Sequence, residues 1–179
     1  MPSTEASFSR DANRVPITAY GFKTQKSQTL SGSNTTVNTA LFQVTGTINV
    51  RALFGEVTTV LGSNNTAAYY QIDDQTATPD ITLATGTTLS AAAVGSIIAR
   101  TSVAGVAVVL ANASAGRVTD PVAATAPDVF MPFLVTQKTG SVLTTINFVY
   151  STTETPTSGV IRHNVNWLPV SDDGDLVAL

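Results

Sequence analysis

The chain has 179 residues, a mass of 18.5 kDa and a formal net charge of -3, which fits one domain able to bury its own core. It has no cysteine and a single histidine, His163, so disulfides, zinc ribbons, iron–sulfur clusters, thiol catalysis and multi-histidine metal sites are excluded. Charged residues make up 12% and hydrophobics 43%, and 29 threonines occupy much of the place that charge usually takes. That is the composition of a Thr/Val/Ala-rich β protein with a weakly charged surface, not of a disordered chain.

Residues 1–36 differ from the rest. Arg10, Arg14, Lys23 and Lys26 against Glu5 and Asp11 give +2, while the remaining five basic and ten acidic residues give -5. Apolar residues are isolated here, and Ser31-Gly32-Ser33-Asn34 closes the segment with turn chemistry. The sequence predicts an extended N-terminal arm over 1–36. Its partner-binding residues are expected to be Arg10, Arg14, Val15, Ile17, Tyr20, Phe22, Lys23 and Lys26. No basic stretch followed by an apolar one opens the chain, so synthesis in a cytosol is expected.

From Val37 the signals are those of strands. Leu41–Gly46 is short and apolar; Thr47–Phe54 alternates, with Ile48, Val50 and Ala52 set against Asn49 and Arg51. Gly55-Glu56 reads as an interruption, a bulge, before Val57–Leu61 resumes. Thr66–Ile72 is a strand between Gly62-Ser63-Asn64-Asn65 and Asp73-Asp74-Gln75, and Ile81–Leu83 follows Pro79-Asp80. Ala91–Ala113 is apolar enough to raise a membrane span. Arg100 near its centre would cost roughly 2.5–3.5 kcal/mol, so the window reads as two buried strands, the second over Val103–Leu110. Asn112–Pro127 is a loop. Val129–Thr136 is an edge or bulged strand because Pro132 cannot donate to a ladder. Val142–Tyr150 and Val160–Leu168 alternate, the latter with Ile161, His163, Val165 and Trp167 on one face. Pro169–Asp175 leaves the sheet. Eight or nine strands with turns between them predict an all-β sandwich or jelly-roll-like domain over 37–170, with a tail over 171–179. Ile48, Val50, Val106, Val108, Phe148 and Trp167 are expected to be buried.

No constellation for chemistry emerges. His163 shares an apolar face, which marks a packed histidine, and no G-x-S-x-G elbow supplies a nucleophile. Asp73 and Asp74, adjacent on a strand, point to opposite faces. Asp172-Asp173-Gly174-Asp175 lacks the spacing of a calcium loop. No phosphate-binding glycine loop occurs, and a pI near 4.9 argues against nucleic acid. The sequence therefore predicts no catalytic, cofactor-binding or metal residues and no enzymatic activity.

Leu41–Arg51, LFQVTGTINVR, with Gly55–Thr59, and the ending Val165–Gly174, VNWLPVSDDG, resemble stretches of small virion proteins of tailed bacteriophages. That resemblance implies a capsid decoration (cement) protein, commonly a homotrimer, bound to the major capsid protein on the capsid surface, with no membrane or nucleic-acid partner. The alternative it leaves open is a head-fibre, tail-fibre or tail-adaptor component, including one that binds host glycans.

Overall fold

Period-two alternation organises the chain from Phe22 to Ala178, further in both directions than composition suggests. The computed structural model describes residues 21–63, 65–75, 80–100, 107–111, 132–139, 143–153 and 159–179. Eleven strands lie among them: β1 (Phe22–Thr29), β2 (Thr36–Thr45), β3 (Thr47–Thr59), β4 (Asn65–Asp73), β5 (Ile81–Thr82), β6 (Ile97–Ala99), β7 (Val109–Ala111), β8 (Phe133–Thr136), β9 (Thr144–Thr152), β10 (Val160–Pro169) and β11 (Asp175–Ala178). Every strand pair is antiparallel. One sheet has the order β1-β10-β3-β6-β7, with β8 beside the first part of β3; the other has the order β11-β2-β9-β4-β5. The protein is an all-β domain of two antiparallel sheets sharing one hydrophobic core.

The core is built by alternation. Ile161, Val165 and Trp167 of β10 and Ile48, Val50, Leu53 and Val57 of β3 meet Phe42 and Val44 of β2, Tyr70 of β4, and Ile146, Phe148 and Tyr150 of β9. Five of the six residues expected in the core are there: Ile48, Val50, Val108, Phe148 and Trp167; Val106 lies outside the described residues. Burying a side chain of this size is worth about 1.5–3 kcal/mol.

β3 departs from simple alternation. Val50 pairs with Trp167 and Ala52 with Asn166, so Arg51 is an extra residue that bulges outward. The bulge reverses the phase. Ala52 turns away from the core and Leu53, Gly55 and Val57 turn into it. Gly55-Glu56, read from sequence as the bulge, keeps regular pairing with His163 and Arg162; the second irregularity falls instead at Thr58. Gly55 is required for space. A Cβ there would lie 2.7 Å from Ile161 Cγ2 and 3.1 Å from the Tyr70 hydroxyl.

Four other expectations change. The arm does not extend to residue 36: β1 is paired along its whole length with β10, from Phe22↔Trp167 to Thr29↔Val160. The tail over 171–179 is not outside the domain, because β11 pairs with β2 from Asp175↔Thr45 to Ala178↔Phe42. Within the described residues the strand expected over 103–110 is confined to Val109–Ala111, and it pairs with β6. Pro132 stands just before β8 instead of inside it, which leaves all four N–H groups of that strand available.

Gly55→Ala should destabilise the domain by about 1–3 kcal/mol, since the added methyl must displace Ile161 or the Tyr70 ring. Urea unfolding followed by Trp167 fluorescence measures it; an unchanged midpoint would refute the packing argument.

Candidate interaction surface

Of the eight residues expected to bind a partner, Phe22, Lys23 and Lys26 are described, and the structure does not gather them into one patch. Phe22 stacks on Trp167, with ring centroids 5.1 Å apart. Trp167 Nε1 donates to Thr24 Oγ1 at 2.9 Å, and Thr24 Oγ1 donates to the Leu176 carbonyl at 3.2 Å. Lys26 Nζ donates to the Leu179 carbonyl. β1, the edge of one sheet, is thereby tied to β11, the edge of the other. Lys23 projects outward beside Asn166. Lysines along an edge strand oppose pairing with a further chain. Arg10, Arg14, Val15, Ile17 and Tyr20 lie outside the described residues. Residues 1–20 carry Arg10 and Arg14 against Glu5 and Asp11 and are neutral, so the +2 read over 1–36 belongs to β1.

His163 is fully buried between the sheets. The Tyr70 hydroxyl, from the opposite sheet, lies 2.9 Å from its Nδ1, and Gln28 Oε1 lies 3.0 Å from its Nε2. Gln28 Nε2 in turn donates to Thr39 Oγ1 at 2.8 Å. One arrangement of protons satisfies all four groups: Tyr70 donates to Nδ1, and Nε2–H donates to Gln28. The Phe148 ring packs 4.7 Å from the imidazole. Burial pushes the His163 pKa down to about 3 and the Tyr70 pKa well above its ordinary value. A neutral imidazole sealed from solvent, accepting from a phenol, has no substrate to reach. Its work is to bridge the sheets. Tyr70 and Gln28 were not singled out from sequence; the alternation of Tyr70 with Ile72 on β4 is the signal that points it inward.

The carboxylates are dispersed over separate partners. Asp73 accepts from the Gln75 backbone N–H at 2.7 Å and from Asn147 Nδ2 at 3.2 Å. Asp74 is ion-paired with Lys138 at 2.7 Å, and Asp80 accepts from Gln71 Nε2 at 2.6 Å. Burial, and then the charges of Asp73 and Asp74, raise the Asp80 pKa. Among the described residues no group of three or more His, Asp or Glu side chains is placed to hold a metal ion. No helix among them is long and apolar enough to cross a membrane.

At one end of the domain the chain crosses between sheets twice, side by side. Gly46, at φ +57°, joins β2 to β3, and Val170–Gly174 joins β10 to β11. The backbone N–H groups of Val170 and Ser171 both donate to the Thr47 carbonyl, at 2.8 and 3.2 Å, and the Thr47 N–H donates to Ser171 Oγ at 2.7 Å. The loop after β8 completes the corner through Gln137, whose N–H donates to the Gly46 carbonyl at 2.7 Å. These three connections border an open recess of about 400 Å³. Leu134 and Val170, 64% and 57% exposed, flank this end; Val60 and Val94, 54% and 55% exposed, lie near the other end of β3.

The folded-state pKa of His163 lies below its ordinary 6.5. Its contribution to stability is therefore complete above about pH 6.5 and is lost as pH falls toward 3. The slope is ~1.4 kcal/mol per pH unit. Between pH 7 and pH 4.5 the protein should lose about 2–3 kcal/mol that a His163→Gln variant does not lose. Urea titrations of both proteins at the two pH values measure the difference, and equal losses would show that the imidazole does not titrate on unfolding.

The chain matches no protein-family model, no curated protein and no solved structure.

Proposed function

We propose that this protein is a structural component of a bacteriophage virion, a decoration protein that binds the major capsid protein and reinforces the capsid lattice from outside. The observation that carries this reading is the double crossing. The two stretches whose sequences resemble phage virion proteins, Leu41–Arg51 and Val165–Gly174, are distant in sequence yet fold together as one corner, joined through Thr47 and Ser171. A resemblance that falls on one cooperative unit has more weight than two unrelated matches. The paired sheets and shared core read as a β-sandwich.

The work is mechanical. Exposed Leu134, Val170, Val60 and Val94 place apolar surface at both ends of β3, so one copy can touch two neighbours. A homotrimer multiplies those contacts, and many weak contacts on a closed lattice hold by avidity. Within residues 1–20, Val15, Ile17 and Tyr20 supply apolar contacts to the capsid protein, with Arg10 and Arg14 alongside. Phe22 and Lys26 are already engaged within the domain, which leaves Lys23 as the third available cation of the original set.

Removing residues 1–20 retains β1, and the truncated chain should keep its β-type circular dichroism. It should bind capsids stripped of decoration at least tenfold more weakly than the full chain. Sedimentation equilibrium of each should give three times its own chain mass, which is 18.5 kDa for the full chain. Equal occupancy on capsids would remove the docking role of residues 1–20, and binding to tails but not to capsids would overturn the decoration reading.

A further inference from the structure

The recess at the double crossing has a donor and acceptor inventory that the domain itself does not use up. Gln137 is fixed at both ends. Its backbone N–H donates to the Gly46 carbonyl, and its Oε1 accepts from the Gly46 N–H at 3.2 Å. That second bond dictates which end of the amide is oxygen, so Nε2 is oriented and left with no partner among the described residues. Thr47 Oγ1 donates to Thr136 Oγ1 at 3.2 Å, so the Thr136 hydroxyl proton is free. Asp173 holds its carboxylate over Gly46, where any side chain on residue 46 would collide with it. Among the described residues nothing donates to that carboxylate. Thr139 also lines the recess, and its hydroxyl has no partner among the described residues.

We propose that this recess is a binding site for a sugar residue of a glycan, with Asp173 accepting from a pair of neighbouring hydroxyls and Gln137 Nε2 and Thr136 donating to their oxygens. The alternatives fit less well. A phosphate or sulfate would face the Asp173 carboxylate, and the one cation lining the recess, Lys138, is already paired with Asp74. An apolar ligand would meet a lining made mostly of hydroxyl, amide and charged groups. A divalent cation would find one unengaged carboxylate where several oxygen ligands are needed. A sugar carries hydroxyls that each donate and accept, which is what a rigid amide, a hydroxyl and a carboxylate set around one hollow can satisfy together. Fixing Gln137 beforehand reduces the ordering cost of binding. The openness of a shallow recess to water keeps the affinity for a single sugar weak, in the range where many copies on one particle compensate. The site does not depend on the decoration reading, since a protein on a fibre or a capsid face would present it equally.

The test is a titration of the ¹⁵N-labelled full chain with the methyl glycosides of glucose, galactose, mannose and N-acetylglucosamine, read from backbone amide shifts. At least one glycoside should move the Gly46, Gln137 and Asp173 amides saturably. Asp173→Ala should weaken that response at least tenfold without lowering the melting temperature, because no described residue donates to the carboxylate. Gln137→Glu keeps an oxygen for the Gly46 N–H but removes the free donor, and it should weaken the response similarly. Absence of a saturable shift with all four glycosides, shifts centred elsewhere, or shifts that survive both substitutions would each overturn the proposal.

Discussion

The contact on which the two sheets depend is a hydrogen bond in the middle of an apolar core. Tyr70 from one sheet donates to His163 from the other, His163 donates to Gln28, and Gln28 donates to Thr39 back across the interface. A half-satisfied version of this chain would be worse than a purely apolar core, because each orphaned group costs about 1–3 kcal/mol. Fully satisfied, it accepts only one lateral and rotational setting of the sheets. A slip of β10 by one residue would turn His163 outward and leave Tyr70 and Gln28 buried without partners. Gly55 belongs to the same device. It stands opposite His163 in the ladder and leaves the space into which the tyrosine hydroxyl projects.

The irregularities of the strands serve the same arrangement. The bulge at Arg51 lets Val50 and Leu53 both face the core, and a comparable shift at Leu41 in β2 buries that residue beside Phe42. β9 is buried on both faces along most of its length. Its core face is Ile146, Phe148 and Tyr150; its outer face is polar apart from Val149, with Thr145 donating to Asn147, and Asn147 to Asn38 and Asp73. A strand enclosed on both sides is usually continuous in apolar residues. Here side-chain amides and hydroxyls satisfy one another instead, in keeping with a threonine-rich composition with few charges.

Much of this architecture was legible in the sequence, and the gaps have physical causes. β10, β9 and the first half of β3 announce themselves by clean alternation. β1 does not, because its inward positions include Thr24 and Gln28, polar residues that bond to the indole of Trp167 and to His163. β11 is four residues long with a single buried side chain, Leu176, and follows an Asp-Asp-Gly run that reads as a loop. The bulge at Arg51 is set by pairing with β10, which no local pattern encodes, while the conspicuous Gly55 was explained by the wrong cause. His163 was legible as a packed histidine, but its partners were not. The recess was invisible for a related reason: it is made by three connections that only the finished topology brings together.

The order of strands has a consequence for how the protein is made. In one sheet β10 stands between β1 and β3, and in the other β9 stands between β2 and β4. Among the described strands β1 and β2 thus pair only with strands synthesised about a hundred residues or more later, whereas β3 and β4 meet β6 and β5 first. While the ribosome is still translating the middle of the chain, neither sheet can be completed, and β1 and β2 emerge with open edges. Completion is therefore all-or-none and late, and topologies of such long-range pairing fold slowly. The threonine-rich, lysine-edged strands are well suited to that interval, since they keep an unfinished chain soluble until β9 and β10 arrive.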